Sequence, residues 1–387
     1  MVDPTVPGSV GRGPLAGLRV VDFSRILSGP YCTMVLADLG ADVVKVERPG
    51  VGDDTRQWGP PFQGEDAAYF LAINRNKRSI ALDLDDADDR EVARTLAAGA
   101  DVVVENFRSG LMDSFGLGYD HVKVTNPTVI YSSISAFGEG PRHTEPGYDV
   151  AIQALSGFMS VTGLGPDHPA KIGVALLDVV TGLYSAIGIL AALKHRRETG
   201  EGTRVEVPLY DASVASLVNQ AANHLIGGLV PQAMGTAHPN IVPYRAFRAN
   251  DGFVVIAAAN DRLHQRLCRA IDRPDLASDH DYATNQDRVR HRDRLEAEIE
   301  GELARQPVEH WVARLTDARV PVAPLRDLRQ VFEAPEGEAL IQHVHDPVRG
   351  DLRLVASPIH FSNINDPDPK PPPLLDEHGA GIRSEGW

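Results

Sequence analysis

Asp178 stands at the head of the most apolar stretch of the chain, Val179 to Leu193, which contains no charged residue. A carboxylate at a helix start is stabilised in its ionised form by the helix dipole and by unpaired backbone N–H groups. In apolar surroundings it is poorly hydrated and therefore more nucleophilic. Covalent catalysis by a carboxylate requires both properties. The same position suits an N-cap, the usual role of an Asp placed just before Val179 at a helix entrance. The residue types alone leave both uses open.

A second set of chemically capable residues lies where apolar runs end. Arg25, Glu47 and Arg48 each follow a β-rich segment. In a parallel α/β sheet, ligands bind outside the carboxyl ends of the strands. By position alone the two arginines serve equally as solvated surface charges. The segment Ser24–Pro30 holds a single glycine, so the G-x-G-x-x-G fingerprint is missing and a nicotinamide oxidoreductase is disfavoured. His238 is expected to be structural, and Lys194-His195-Arg196-Arg197 reads as a solvated helix end.

The elements that must position these residues alternate. Strand-like runs occur at Leu18–Phe23, Asp42–Glu47, Arg78–Asp83, Asp101–Glu105, Val129–Ile134 and Thr203–Pro208. Ser28-Gly29-Pro30 is expected to break the chain before a helix at Tyr31–Leu39, and an acid-started helix is expected at Asp88–Ala98. Asp211–Ile226 reads as one connector helix. Alternation of this kind gives a parallel, doubly wound, Rossmann-like sheet with right-handed crossovers. Residues 14–224 are expected to form this large α/β domain with its connector. A smaller α/β domain is expected at 225–325, with helices at Arg288–Ala304 and Val308–Ala318. A segment at 326–387 is expected to return to the large domain. Residues 1–13 read as a flexible arm.

Composition narrows the functional classes. The chain has 387 residues, 43% of them hydrophobic, and a formal net charge of −15. The length favours two domains, and the acidic balance argues against a nucleic-acid partner. Cys32 and Cys268, far apart, offer neither a disulfide framework nor a metal site, and no metal is expected. Ile172–Leu193 is apolar, but Asp178 divides it, and the longer piece falls short of the ~20 residues a membrane span needs. A buried core helix, no membrane partner and a cytoplasmic location are the expectation.

Several stretches resemble class III (CaiB/BaiF) CoA-transferases, the group that includes formyl-CoA transferase. They are "PLAGLRVVDFSRILSGP", "LADLGADVVKVERPGVGDDTRQW", "NRNKRSIALDL", "ADVVVENFRSG", "PGYDVAIQALSG", "LLDVVTGLYSAIGILAAL" and "TGEGTRVEVPLYDA", in family order and covering nearly the whole chain. The resemblance implies that Asp178 is the catalytic aspartate, with Tyr148 and Asp149 close to the thioester. It implies that Arg25, Arg48, Leu82, Asn106 and Phe107 line the CoA site, and that Trp58 and Leu27 lie near the acyl group. Arg25 and Leu27 replace the His and Gln of formyl-CoA transferase, and its glycine-rich loop has no counterpart between Asn240 and Asn250. Both departures count against formate and oxalate as substrates.

The resemblance further implies an acyl-CoA donor and a carboxylic acid acceptor, CoA as a substrate rather than a tightly bound cofactor, and an interlocked homodimer. The chemistry would run through an aspartyl anhydride and an aspartyl-CoA thioester. A rival with the same fold is α-methylacyl-CoA racemase, which needs two acid/base groups flanking the α-carbon. Here Tyr148 stands where racemases carry His, and Asn260 near where they carry Glu. Tyr is too weak a base at neutral pH. A related isomerase or hydratase, and a non-catalytic acyl-CoA binding protein, are further alternatives. Intact Asp178, Tyr148 and Asp149 count against the last.

Overall fold

The computed structural model describes residues 13–365 and 367–387. The flexible arm expected at the N-terminus lies, but for Gly13, outside them. The chain divides into two compact units. One runs to Phe158 and resumes at Lys171–Leu229 and Ala339–Trp387; the other comprises Met159–Ala170 and Val230–Glu338.

The first unit is built on six strands: β1 (Arg19–Asp22), β2 (Asp42–Glu47), β3 (Lys77–Ala81), β4 (Val102–Glu105), β5 (Ile130–Ser133) and β6 (Thr203–Glu206). They form one sheet in the order β6-β5-β4-β1-β2-β3, parallel throughout. Consecutive valines on these strands point to opposite faces. On one face Val21, Val44 and Val103 pack with Leu96 and Ala97 of helix α2 (Ala87–Gly99). On the other, Val20, Val43, Val102 and Val104 pack with Cys32 and Leu36 of α1 (Ser28–Asp38) and with Ala186 and Ile189 of the later long helix. Each such side chain, buried completely, contributes ~1.5–3 kcal/mol. Helices on both faces make the sheet doubly wound, as the alternation predicts.

Local chemistry explains the boundaries. Asp86 caps α2 through the N–H groups of Asp88 and Asp89. Ser28-Gly29-Pro30, expected as a break, is instead the first turn of α1. Pro fits there because an N–H in the first turn has no intrahelical acceptor to lose. Helix α3 (Asp149–Leu155) leads to the apolar helix α4 (Leu176–Thr199), which ends at Gly200 in a left-handed conformation. By length and composition α4 could cross a membrane, but Leu177, Thr181, Gly182, Ser185, Ala186, Ile189 and Ala192 form a buried stripe along it. The expected single connector is two helices, α5 (Leu209–Ala215) and α6 (Val218–Leu225). The chain breaks at Ser216–Leu217, and Val218 follows at φ 40°.

The second unit contains a three-stranded antiparallel sheet of β7 (Tyr244–Arg248), β8 (Phe253–Ala257) and β9 (Val322–Pro324). Phe247, Val254 and Ile256 pack with Leu267, Leu295, Ile299, Trp311 and Leu315 from its helices. The helix expected over Arg288–Ala304 is interrupted at His291. Met159–Ala170 and residues 326–338 lie in this unit, whereas the expected boundaries place them elsewhere. The chain from Ala339 rejoins the first unit. A hairpin, Ile341–Asp346 with Gly350–Val355, places Arg349 in a buried ion pair with Asp66, and Ile382 enters the sheet core.

Candidate active site

Helices α1 and α4 bring the reactive groups together. They pack closely because Gly182 lacks a side chain: a Cβ there would lie 2.5 Å from the Ser28 carbonyl oxygen. The Ser28 side chain lies near enough to the Asp178 carboxylate to favour its charged form.

Asp178 is not the N-cap. It is the third residue of α4, and the cap position is Ala175, which makes no side-chain hydrogen bond. The capping acceptor comes from elsewhere. Asp149, buried on α3, accepts the Leu177 N–H at 2.9 Å and a bond from Gln153 Nε2 at 2.5 Å. Gln153 in turn accepts the Ile172 N–H at 2.9 Å. With Asp149 satisfying the helix end, Asp178 is released from capping and faces a cleft.

Burial pushes the Asp178 carboxyl up to about 7; the Asp149 charge adds to this and the Ser28 hydroxyl opposes it. The helix-dipole argument predicts the opposite direction, and desolvation with a neighbouring carboxylate outweighs it. Burial and then the charges of Asp178, Asp149 and Asp53 raise the Tyr69 hydroxyl to about 12, so it remains a neutral group near Asp178.

The cleft, about 360 Å³, is lined by Asp178, Tyr148, Leu27, Asn106, Phe107 and Arg25 among others. Arg25 and Phe107 also line a second cavity of about 210 Å³ with Leu82 and Arg48. The Arg25 guanidinium lies 5.0 Å from the Phe107 ring centroid. Asn106 ties this wall to the first β-α turn, accepting the Arg25 N–H at 2.8 Å and donating to its carbonyl at 2.7 Å. Arg48 is half exposed and pairs with Asp54 at 2.5 Å. The second cavity is walled by Phe23, Leu82, Leu84 and Phe107 and edged by the cations Arg25 and Arg48 and the acids Asp83 and Asp85, and it shares Arg25 and Phe107 with the cleft that holds Asp178.

Two residues singled out in the sequence line neither cavity. Asp149 does not line the cleft; its carboxylate is spent on α4 and Gln153. Trp58 lines neither cavity and packs edge-on against Tyr69 at 5.5 Å. Ser28, Tyr69 and the buried Glu105 escaped the sequence reading. Glu105 accepts the Phe107 N–H at 2.8 Å and a bond from Ser133, and burial raises its carboxyl to about 7 against those bonds. A Glu closing the apolar run Val102–Val104, directly before Asn106-Phe107, was the available signal. Asn260 caps the helix Asp261–Ala270 by accepting the Leu263 N–H at 2.9 Å. His238 accepts the Asn240 N–H at 3.1 Å and packs on Tyr244 at 5.3 Å, a structural role.

A family model described as CoA-transferase family III matches residues 15–379. The chain belongs to that family. This family III enzyme is similar to the succinyl-CoA:glutarate CoA-transferase of Mus musculus, 39% identical over 375 residues, which span 96% of this chain and 86% of the relative. It is similar to the succinyl-CoA:mesaconate CoA-transferase of Haloarcula hispanica, 41% identical over 386 residues and 96% of each chain. Among solved structures, a CAIB/BAIF family protein from Brucella suis superposes with a TM-score of 0.86 at 42% identity, covering 97% of this chain and all of that one. Family III membership makes the protein a CoA-transferase, with CoA thioesters as substrates.

Proposed function

We propose that this CoA-transferase moves CoA from an acyl-CoA donor to a dicarboxylic acid through a covalent intermediate on Asp178. The observation that carries the reading is the position of Asp178: a part-buried carboxylate in a cleft continuous with the Arg25–Phe107 wall. Glutarate and mesaconate, named for two relatives, are dicarboxylic acids, and Arg25 and Arg108 are the cations lining the cleft.

The Asp178 carboxylate attacks the donor thioester carbonyl. A C–O bond forms, the C–S bond breaks, and CoA leaves as the thiolate with the electron pair. The thiolate attacks the aspartyl carbonyl of the resulting anhydride, forming the Asp178–CoA thioester and releasing the donor acid. The acceptor carboxylate attacks that thioester, and the thiolate then attacks the acceptor carbonyl of the new anhydride, regenerating Asp178. Tyr148, Ser28 and neighbouring backbone N–H groups are the donors available to the tetrahedral oxyanions. A desolvated carboxylate with a raised pKa suits the attacking step, because it is strongly nucleophilic once ionised.

The protein works as a homodimer in this reading. Leu225, Ile226 and Leu229 are largely exposed, more apolar surface than a lone subunit favours. A monomeric mass at nanomolar concentration with activity intact would remove that part of it.

The test is trapping. Purified enzyme is incubated with succinyl-CoA, acetyl-CoA and glutaryl-CoA, treated with hydroxylamine, and mapped by mass spectrometry. A hydroxamate on Asp178 is expected. An unmodified Asp178, with α-proton exchange into heavy water in the same samples, would replace transfer by racemisation or isomerisation.

A further inference from the structure

The turn between β1 and α1 is held almost entirely by side chains from elsewhere. The Ser24 N–H and hydroxyl are both bound by Asp22. The Ser24 carbonyl accepts from Lys45 Nζ at 2.9 Å. Arg25 is tied at both its N–H and its carbonyl by Asn106. The Ile26 N–H points at both oxygens of Asp53, at 3.3 and 3.2 Å. Leu27 and Ser28 follow directly, and they line the cleft with Asp178.

Ile26 has φ 70°. A β-branched residue is a poor occupant of left-handed backbone and relaxes out of it unless its surroundings forbid this. The group that forbids it sits beneath the turn. Lys45 and Asp53 form an ion pair at 2.8 Å, with both side chains 0% exposed. Both border the second cavity, but neither side chain offers solvent-accessible surface to it. Asp53 is fixed in turn by the Thr55 N–H and hydroxyl at 3.0 and 2.8 Å, and its own N–H is taken by Glu47 at 2.9 Å. A buried ion pair is weak support for stability, because desolvation offsets its attraction. Its geometric effect here is specific: it ends on the one strained residue of the loop that carries Ser28.

We propose that the buried Lys45–Asp53 pair is a clamp in which Asp53 acts as a positioning residue, holding Ile26 in left-handed backbone so that Leu27 and Ser28 meet Asp178. The proposal rests on the reading of Asp178 as nucleophile. Arg25 is held independently by Asn106, so the clamp governs the acyl end of the site more than the CoA end. Loss of the clamp therefore lowers kcat while the KM for acyl-CoA changes little.

The experiment compares wild type, Asp53→Asn and the double variant Asp53→Asn/Ile26→Gly. The readouts are kcat, KM for succinyl-CoA and the rate of Asp178 modification in the hydroxylamine assay. Asp53→Asn is expected to lower kcat and the modification rate about 30-fold, with KM changed less than about threefold. Glycine adopts φ 70° without strain, so the double variant is expected to regain at least about fivefold of the lost kcat. A role in folding alone would lower the amount of native enzyme without this rescue. Asp53→Asn within twofold of wild type, or no rescue by Ile26→Gly, would overturn the clamp. If Asp53→Asn does not fold, Thr55→Val frees one side of the Asp53 carboxylate without changing charge. It should lower kcat about threefold, and a Thr55→Val enzyme as fast as wild type would overturn the proposal. Wild-type enzyme never modified on Asp178 would instead sink the covalent reading of the site.

Discussion

Asp178→Asn removes a charge while keeping the side-chain shape, so it separates catalysis from stability. The folded protein raises the Asp178 carboxyl from 3.8 to about 7. Where the group is ionised in both folded and unfolded chains, that shift costs the folded state at most ~4 kcal/mol. Partial exposure to water reduces the cost to ~1–3 kcal/mol. The sign follows from proton uptake: the folded state binds more protons between about pH 4 and 7, so wild-type stability falls as pH rises through that window. Asn carries no such cost. Asp178→Asn should therefore melt roughly 1–4 °C above wild type at pH 8 and at the same temperature near pH 4. Differential scanning calorimetry on ligand-free enzyme at the two pH values reads this directly. The same variant should lose at least ~1,000-fold in kcat, since the attacking oxygen is gone. Equal melting temperatures at pH 8, or a gain independent of pH, would refute the desolvated-carboxylate account. Activity within tenfold of wild type would refute the nucleophile.

Asp149→Asn keeps an acceptor for the Leu177 N–H but removes the charge that helps raise Asp178; the acid limb of the kcat–pH profile should move to lower pH, below about 7, and an unmoved limb would deny the coupling. Gly182→Ala places a Cβ 2.5 Å from the Ser28 carbonyl oxygen, so it should destabilise by ~1–3 kcal/mol and lower kcat; a denaturant melt that overlays wild type would contradict the close packing of α1 on α4. Arg48→Ala removes an exposed cation from the CoA cavity and should raise KM for acyl-CoA about tenfold with kcat nearly unchanged; steady-state kinetics at two salt concentrations would check it, with the effect smaller at high salt.

The strands are legible in the sequence because runs such as Asp42–Glu47 and Val102–Glu105 are β-branched and bounded by turn residues. The helix at Ala87–Gly99 is legible because its acids crowd the first turn. Ser28-Gly29-Pro30 reads wrongly as a break because punctuation residues look alike before and inside a first helical turn. The interruption before Val218 carries no glycine or proline signal. Arg25, Arg48, Leu82, Asn106, Phe107, Tyr148 and Leu27 line one or other of two adjoining cavities, and those positions came from motif resemblance, not from periodicity.

What the sequence determined by itself is what local pattern encodes: alternating strands and helices, a parallel sheet, and an aspartate at the head of an apolar helix. Tertiary structure decided how that aspartate is used. Asp149, 29 positions earlier, takes over the capping of α4, and Gly182 lets Ser28 approach. Burial with a second carboxylate nearby then outweighs the helix dipole and reverses the expected direction of the Asp178 pKa. Lys45, a lone cation in an apolar strand, pairs with Asp53 beneath the strained Ile26. Each of these depends on contacts between segments distant in the chain, and desolvation is a property of the packed neighbourhood, which no spacing of residue types records.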